Sequence, residues 1–212
     1  MKVTQGTPIP VTKSDLTHHW QERLNGHNLT EITMKYKDAD YFMENDPNKD
    51  PEEVIYEAFY KESTPEEGHL TWGHITLYPG KVNDQYHCTK GHYHLNSHAE
   101  EYFLCMKGEG LIMFMNREGD CWCEELEEGS LHKVPEGTAR RLINLGDDEL
   151  MLSTCVPSDA GFDFESVTKK PFSCHVYEDD GEMAIKVDVD ENAADGGEDG
   201  LSDIEALLKM DL

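Results

Sequence analysis

The sequence predicts an all-β protein, built as an antiparallel barrel or jelly roll. Three observations carry that expectation. Short apolar and aromatic runs recur from residue 54 to residue 156. The breaks between them are rich in glycine, proline and acidic residues. The longest apolar runs, such as Leu111-Ile112-Met113-Phe114-Met115, have the length of a buried strand and fall far short of a membrane span.

In chain order the expected strands are Val54 to Tyr60, Leu70 to Tyr78, Tyr102 to Met106 and Leu111 to Met115, followed by Cys121 to Leu126, Leu131 to Val134, Leu142 to Leu145 and Leu150 to Val156. Pro79-Gly80, Lys107-Gly108-Glu109-Gly110, Glu118-Gly119-Asp120, Glu128-Gly129, Pro135-Glu136-Gly137 and Gly146-Asp147 supply turns, because glycine accepts backbone angles closed to other residues. Residues 1–52 are polar. They read as an N-terminal wrapping segment with short helical pieces, Ser14 to Leu24 among them, ending in the loop Asn45-Asp46-Pro47-Asn48-Lys49-Asp50-Pro51. Residues 53–177 form the barrel. Residues 178–212 hold 13 acidic residues against two lysines and read as an acidic tail. Within that tail, Ser202-Asp203-Ile204-Glu205 matches a helix capping box and predicts a short C-terminal helix.

A net charge of −26, from 44 acids and 18 bases, excludes nonspecific binding to nucleic acid or to an anionic membrane. No signal-like apolar segment follows Met1, and the six cysteines sit mostly in strand contexts where free thiols belong, so a cytoplasmic protein is expected. Cys121-Trp122-Cys123 lacks a second cysteine pair at zinc-site spacing and is assigned to a strand.

The chemistry-bearing stretch is Thr89-Lys90-Gly91-His92-Tyr93-His94. Side chains alternate along a strand, so His92 and His94 share a face and both imidazoles can reach one metal ion. Glu101 can return to the same point if the chain turns into a neighbouring strand that ends at the Gly108 and Gly110 turn. Lys90 and Gly91, directly before the histidines, suit an anion site. In a chain this acidic any phosphate substrate needs local cations, and Lys90, Arg140 and Arg141 are the candidates. Arg140 and Arg141 are neighbours on a strand, so one of them is expected to point outward into solvent. His74 and His87 read as packing or surface histidines. His98 reads as a solvated loop residue held in reserve as a ligand.

These motifs, together with Val54-Ile55-Tyr56-Glu57, Leu77-Tyr78-Pro79-Gly80-Lys81-Val82 and Pro157-Ser158-Asp159-Ala160-Gly161, resemble the cupin-type glucose-6-phosphate isomerases over about Val54 to Phe164. The resemblance implies a cupin jelly-roll barrel. It also implies a divalent transition metal (Fe, Mn, Ni or Zn) on His92, His94 and Glu101, with Glu101 as the catalytic carboxylate. It places the sugar phosphate on Thr89, Lys90 and Gly91, with Tyr56 lining the sugar pocket. The implied reaction is aldose–ketose isomerisation of glucose 6-phosphate and fructose 6-phosphate, by a homodimer in which Phe103 and Leu111 to Met115 pack between sheets. Moving hydrogen between C2 and C1 needs either a base and an electrophile or a metal that polarises both oxygens.

The chain departs from the family where a fourth ligand is due. Val134-Pro135-Glu136-Gly137-Thr138-Ala139-Arg140-Arg141 has Arg140 in place of a histidine, and guanidinium has no lone pair to give a metal. His132 lies too far back to substitute. Phe103, Val156, Phe162 and Phe164 replace polar residues around the site. Two arrangements follow. In one, three protein ligands hold the metal and Arg140 binds an anionic part of the substrate or Glu101. In the other, Arg140 stands in the metal's place, and the chain is a divergent cupin that binds a sugar phosphate or partner, or acts on another sugar.

Overall fold

Alternating burial makes the apolar runs into strands with a face to cover. The computed structural model describes residues 13–187. The first strands are β1 (Thr30–Lys35), β2 (Val54–Lys61), β3 (Leu70–Leu77), β4 (Lys81–Val82), β5 (Gln85–Tyr86) and β6 (Glu101–Lys107). They are followed by β7 (Gly110–Met115), β8 (Cys121–Leu126), β9 (Leu131–Val134), β10 (Ala139–Asn144) and β11 (Leu150–Pro157). One helix, α1 (Phe164–Lys169), precedes β12 (Cys174–Asp179) and β13 (Glu182–Val187). The strands form a six-stranded sheet β1-β2-β3-β11-β6-β9, a three-stranded sheet β10-β7-β8 and a four-stranded sheet β13-β12-β5-β4, with all pairings antiparallel. This is the all-β cupin jelly roll that the sequence predicts.

Two apolar clusters hold the layers together. Ile55, Ala58, Leu77, Phe103, Cys105, Ile112, Phe114, Leu142, Leu150 and Leu152 fill the space between the six- and three-stranded sheets. Leu111, Met113, Met115 and Ile143 point the other way, onto Tyr93, Val167, Phe172 and Val176. Strands β7 and β10 are therefore buried on both faces, which is why Leu111 to Met115 is unbroken by polar residues. Phe103 and this run pack between the layers inside the protomer's own core, as sheet-packing residues.

The structure corrects the ends of the chain. Ser14 to Leu24 is not helical. Thr17 and Asn25 exchange two backbone hydrogen bonds of 2.8 Å across a turn, and only Leu24 buries an apolar side chain there, so no helical face exists to cover. The N-terminal segment does more than wrap, because β1 pairs with β2 in full register from Thr30↔Tyr60 to Met34↔Tyr56. Its remainder lies on the barrel: the Tyr41 hydroxyl donates to Cys88 O (3.0 Å). At the other end β12 runs through residue 177, and β13 pairs with it to Val187, so the sheet continues into the segment expected to be tail. The expected C-terminal helix lies outside the described residues. No helix among the described residues is long and apolar enough to cross a membrane.

Candidate functional site

Glu101 opens β6 on its inward face, alternating with Phe103 and Cys105, so a carboxylate enters the barrel interior at 3% exposure. A buried charge needs a partner. Strand β10 supplies it. Arg140 pairs in register with Phe114, and its side chain points inward with Leu142, onto Glu101. Arg140 Nη2 contacts Glu101 Oε2, and Nη1 donates to His92 O at 3.0 Å. From β11, Thr154 Oγ1 donates to Glu101 Oε1. Oε2 therefore faces the Arg140 guanidinium and the His94 ring.

The His92 and His94 stretch is extended but is not a ladder strand: His92 and Arg140 form one antiparallel bridge, beside the Thr89 N to Leu142 O bond of 2.9 Å. Both rings do turn toward one place, with centroids 6.1 Å apart. His94 Nδ1 donates to Ala99 O (3.0 Å), which directs Nε2 to within 3.4 Å of Glu101 Oε2, near but not aligned as a hydrogen bond. His92 Nε2 is buried without a partner, and its ring lies against Phe162 and Phe164, with centroids 4.8 and 5.0 Å away. Burial, then Arg140, then His94 hold the His92 imidazole well below its ordinary pKa, so it stays neutral. Burial pushes the Glu101 carboxyl up. Arg140, His94 and the Thr154 hydroxyl outweigh that and hold it below the usual carboxylate range.

A cavity of about 400 Å³ opens over this group, lined by Tyr56, Thr89, Lys90, Gly91, His92 and Arg140 on its polar side. Its other walls, including Tyr60, Phe162 and Phe164, are mostly carbon. A smaller cavity of about 220 Å³ holds His94 and Glu101, and Arg140, Tyr60 and Phe162 line both. The guanidinium therefore stands at the junction. Every residue expected from the sequence to bind substrate lies in the larger cavity. Lys90 Nζ is engaged by Asp40 from the N-terminal segment at 2.8 Å, which shares its charge. Thr89 Oγ1 accepts from Leu142 N (3.1 Å).

Several assignments need correction or addition. Arg141 is not solvated: it is 5% exposed, with Nη2 donating to Lys90 O (3.0 Å) and its guanidinium over the Phe172 ring. The outward face of β10 is covered by α1, β12 and the N-terminal segment, so neither arginine reaches water. His98 is exposed and pairs with Glu136, and His132 pairs with Glu124 and Ser130, both away from the site. Tyr60 and Thr154 join the site without a motif to mark them. Thr154 was legible, because Leu150, Leu152 and Thr154 share one face of a predicted strand.

The donors do not fit a divalent ion as they stand. Two imidazole nitrogens are free, but the carboxylate is taken by Arg140, and among the described residues no three His, Cys, Asp or Glu side chains gather as a metal site. At an effective dielectric near 20, an ion ~4 Å from the guanidinium would meet repulsion of ~8 kcal/mol, cancelling the attraction of Glu101 at the same range. The two imidazole nitrogens would then have to hold it alone.

Comparison with known proteins gives one family. The model of the glucose-6-phosphate isomerase (GPI) family matches residues 32–194. Glucose-6-phosphate isomerase of Thermococcus litoralis is 36% identical over 133 residues, 63% of this chain and 70% of that protein. The Pyrococcus horikoshii enzyme of the same name is 32% identical over 157 residues, 74% of this chain and 82% of that one. Among solved structures, oxalate decarboxylase from Bacillus subtilis aligns with 50% of this chain and 26% of its own, at 17% identity and a TM-score of 0.42.

Proposed function

Because the chain belongs to the glucose-6-phosphate isomerase family, we propose that it interconverts glucose 6-phosphate and fructose 6-phosphate in the cavity over Glu101. One observation carries the reading beyond family membership: Thr89, Lys90, Gly91, Tyr56 and Arg140 line a single cavity whose polar floor adjoins the buried Glu101. Lys90 and the backbone of the Thr89 to Gly91 loop take the phosphate, and Tyr56 borders the open-chain sugar. Glu101 Oε2 removes the C2 proton and returns it to C1, while the hydroxyl proton passes from O2 to O1. Thr154 keeps Oε1 occupied, so a single oxygen does this work. The lowered pKa keeps Glu101 unprotonated at neutral pH but makes it a weak base. A substrate that draws Arg140 away removes part of that restraint, so basicity rises on binding. The six free cysteines support a cytoplasmic setting.

A second reading, favoured by the orphaned Nε2 atoms of His92 and His94, is a divalent ion (Fe, Mn, Ni or Zn) on these histidines and Glu101. It requires the guanidinium to leave Glu101 first.

The test is turnover of glucose 6-phosphate labelled with deuterium at C2. Wild type should release label to solvent through the Glu101 carboxyl, and Glu101→Gln should lose ~100-fold or more in kcat. Full retention of label at C1 together with undiminished Glu101→Gln activity would exclude Glu101 as the base.

A further inference from the structure

Resting on the isomerase reading above, we propose that the Arg140 guanidinium replaces a divalent ion as the electrophile at this site, so that the chain isomerises its substrate without metal. Arg140 is 4% exposed and fixed by two contacts, to His92 O and to Glu101 Oε2, while its Nε is buried without a partner. It lines both cavities, so a ligand in the larger one meets the guanidinium before it meets the carboxylate.

Guanidinium is a permanent cation whose planar fork donates two parallel hydrogen bonds to a pair of oxygens. The two oxygens of an enediolate, held syn across C1 and C2, present such a pair. When the C2–H bond breaks, its proton goes to Glu101 Oε2 and its electron pair becomes the C1–C2 double bond. The carbonyl π electrons move onto O1, where Arg140 N–H groups meet the developing charge. The O2 hydroxyl proton passes to O1, and collapse toward C2=O delivers the proton from Glu101 to C1. C1 is reduced and C2 oxidised within one molecule, so no outside oxidant or reductant is needed. Arg140 and Glu101 neutralise each other, and substrate oxygens entering between them release both groups for the reaction.

The phenylalanines fit this arrangement. Phe162 and Phe164 stack on each other (5.9 Å, 15°) and pack on the neutral His92. The guanidinium itself is 4% exposed, and at such a buried site a hydrogen bond to charge is worth more than in solvent.

The experiment measures metal uptake and turnover separately. Wild-type protein is stripped with a chelator, titrated calorimetrically with Mn²⁺ and with Zn²⁺, and assayed for glucose 6-phosphate isomerisation with and without each ion. Arg140→His and Arg140→Lys are treated alike. We expect wild type to take up neither ion stoichiometrically and to turn over equally well with and without them. Arg140→His should gain one equivalent of metal and lose ~100-fold or more of its metal-free kcat. Arg140→Lys, which keeps the charge beside Glu101 and so preserves the fold, should lose ~10-fold in kcat with little change in KM, since one planar fork is lost. Stoichiometric metal uptake by wild type, with turnover that disappears on chelation, would overturn the proposal. Absence of metal uptake with no turnover in any of the three proteins would overturn the isomerase reading and Arg140's catalytic role with it, while leaving the exclusion of metal intact.

Discussion

Arg140 and Arg141 are adjacent on β10, both about 95% buried, and do different things because strand alternation sends them to opposite faces. Arg140 meets a carboxylate. Arg141 meets the Phe172 ring and a backbone carbonyl, and braces the 89–91 loop from behind. The identities and the alternation were legible in the sequence. Which face had water was not, since that depends on α1, β12 and the N-terminal segment covering β10. Thr154 makes a prediction at this scale. Its hydroxyl holds Glu101 Oε1, and removing it frees the carboxylate to rotate without touching the 89–91 loop. Thr154→Val should lower kcat by ~10-fold, about one charge-assisted hydrogen bond, while KM stays near wild type. Steady-state kinetics read this directly; a rise in KM at constant kcat would show that Thr154 serves binding instead.

At the scale of elements, the site is a junction between β6, β10, β11 and the extended 88–94 segment, with α1 bringing phenylalanines over the top. That last placement depends on a mutual pair of backbone bonds between Tyr93 and Asp163 (2.8 and 3.3 Å), after which Asp163 caps α1 by accepting from Ser166 N. Gly91 is the pivot of the loop. Its φ of +76° disfavours any side chain, and a Cβ there would lie 2.7 Å from the Phe172 ring and 2.9 Å from Arg140 O. Gly91→Ala should therefore cost ~2–4 kcal/mol in chemical denaturation, above the usual penalty for a surface turn, because backbone and ring must both give. A loss under ~1 kcal/mol would mean that the loop relaxes freely and is not held by its neighbours. The eight predicted strands all appear, two of them at their predicted bounds, because glycine turns mark their ends. α1 escaped notice because only one of its residues, Val167, is buried, too little for an amphipathic pattern.

Across the whole molecule, buried neutral histidines set the acid limit. His74 has both ring nitrogens occupied, by His18 and Thr76, near Phe59 and Arg23; burial is the first cause holding it at about 4. His87 is likewise held at about 4 by burial, between Tyr78 O, Lys49 and Glu53. Their ordinary value is 6.5. The unfolded chain therefore takes up protons below about 6.5 that the folded chain refuses until about 4. Stability from these groups is complete above 6.5 and falls as pH drops through that window, by ~1–2 kcal/mol for each at pH 5. Urea midpoints measured from pH 7.5 to pH 5 should fall accordingly, and His87→Gln should flatten the slope. An unchanged slope in that variant would assign the acid sensitivity elsewhere.

By itself the sequence determined the antiparallel all-β barrel, the turn positions and most of the residues around the site, because strand periodicity, glycine placement and motif spacing are local properties of the chain. Tertiary structure alone decided which of those residues touch. Arg140, 39 positions after Glu101 and 48 after His92, reaches both only because β10 lies beside the 88–94 segment and faces β6 across the core. The same packing set a fixed cation on the carboxylate of a stretch that reads as a metal site, because a buried carboxylate requires a partner of opposite charge.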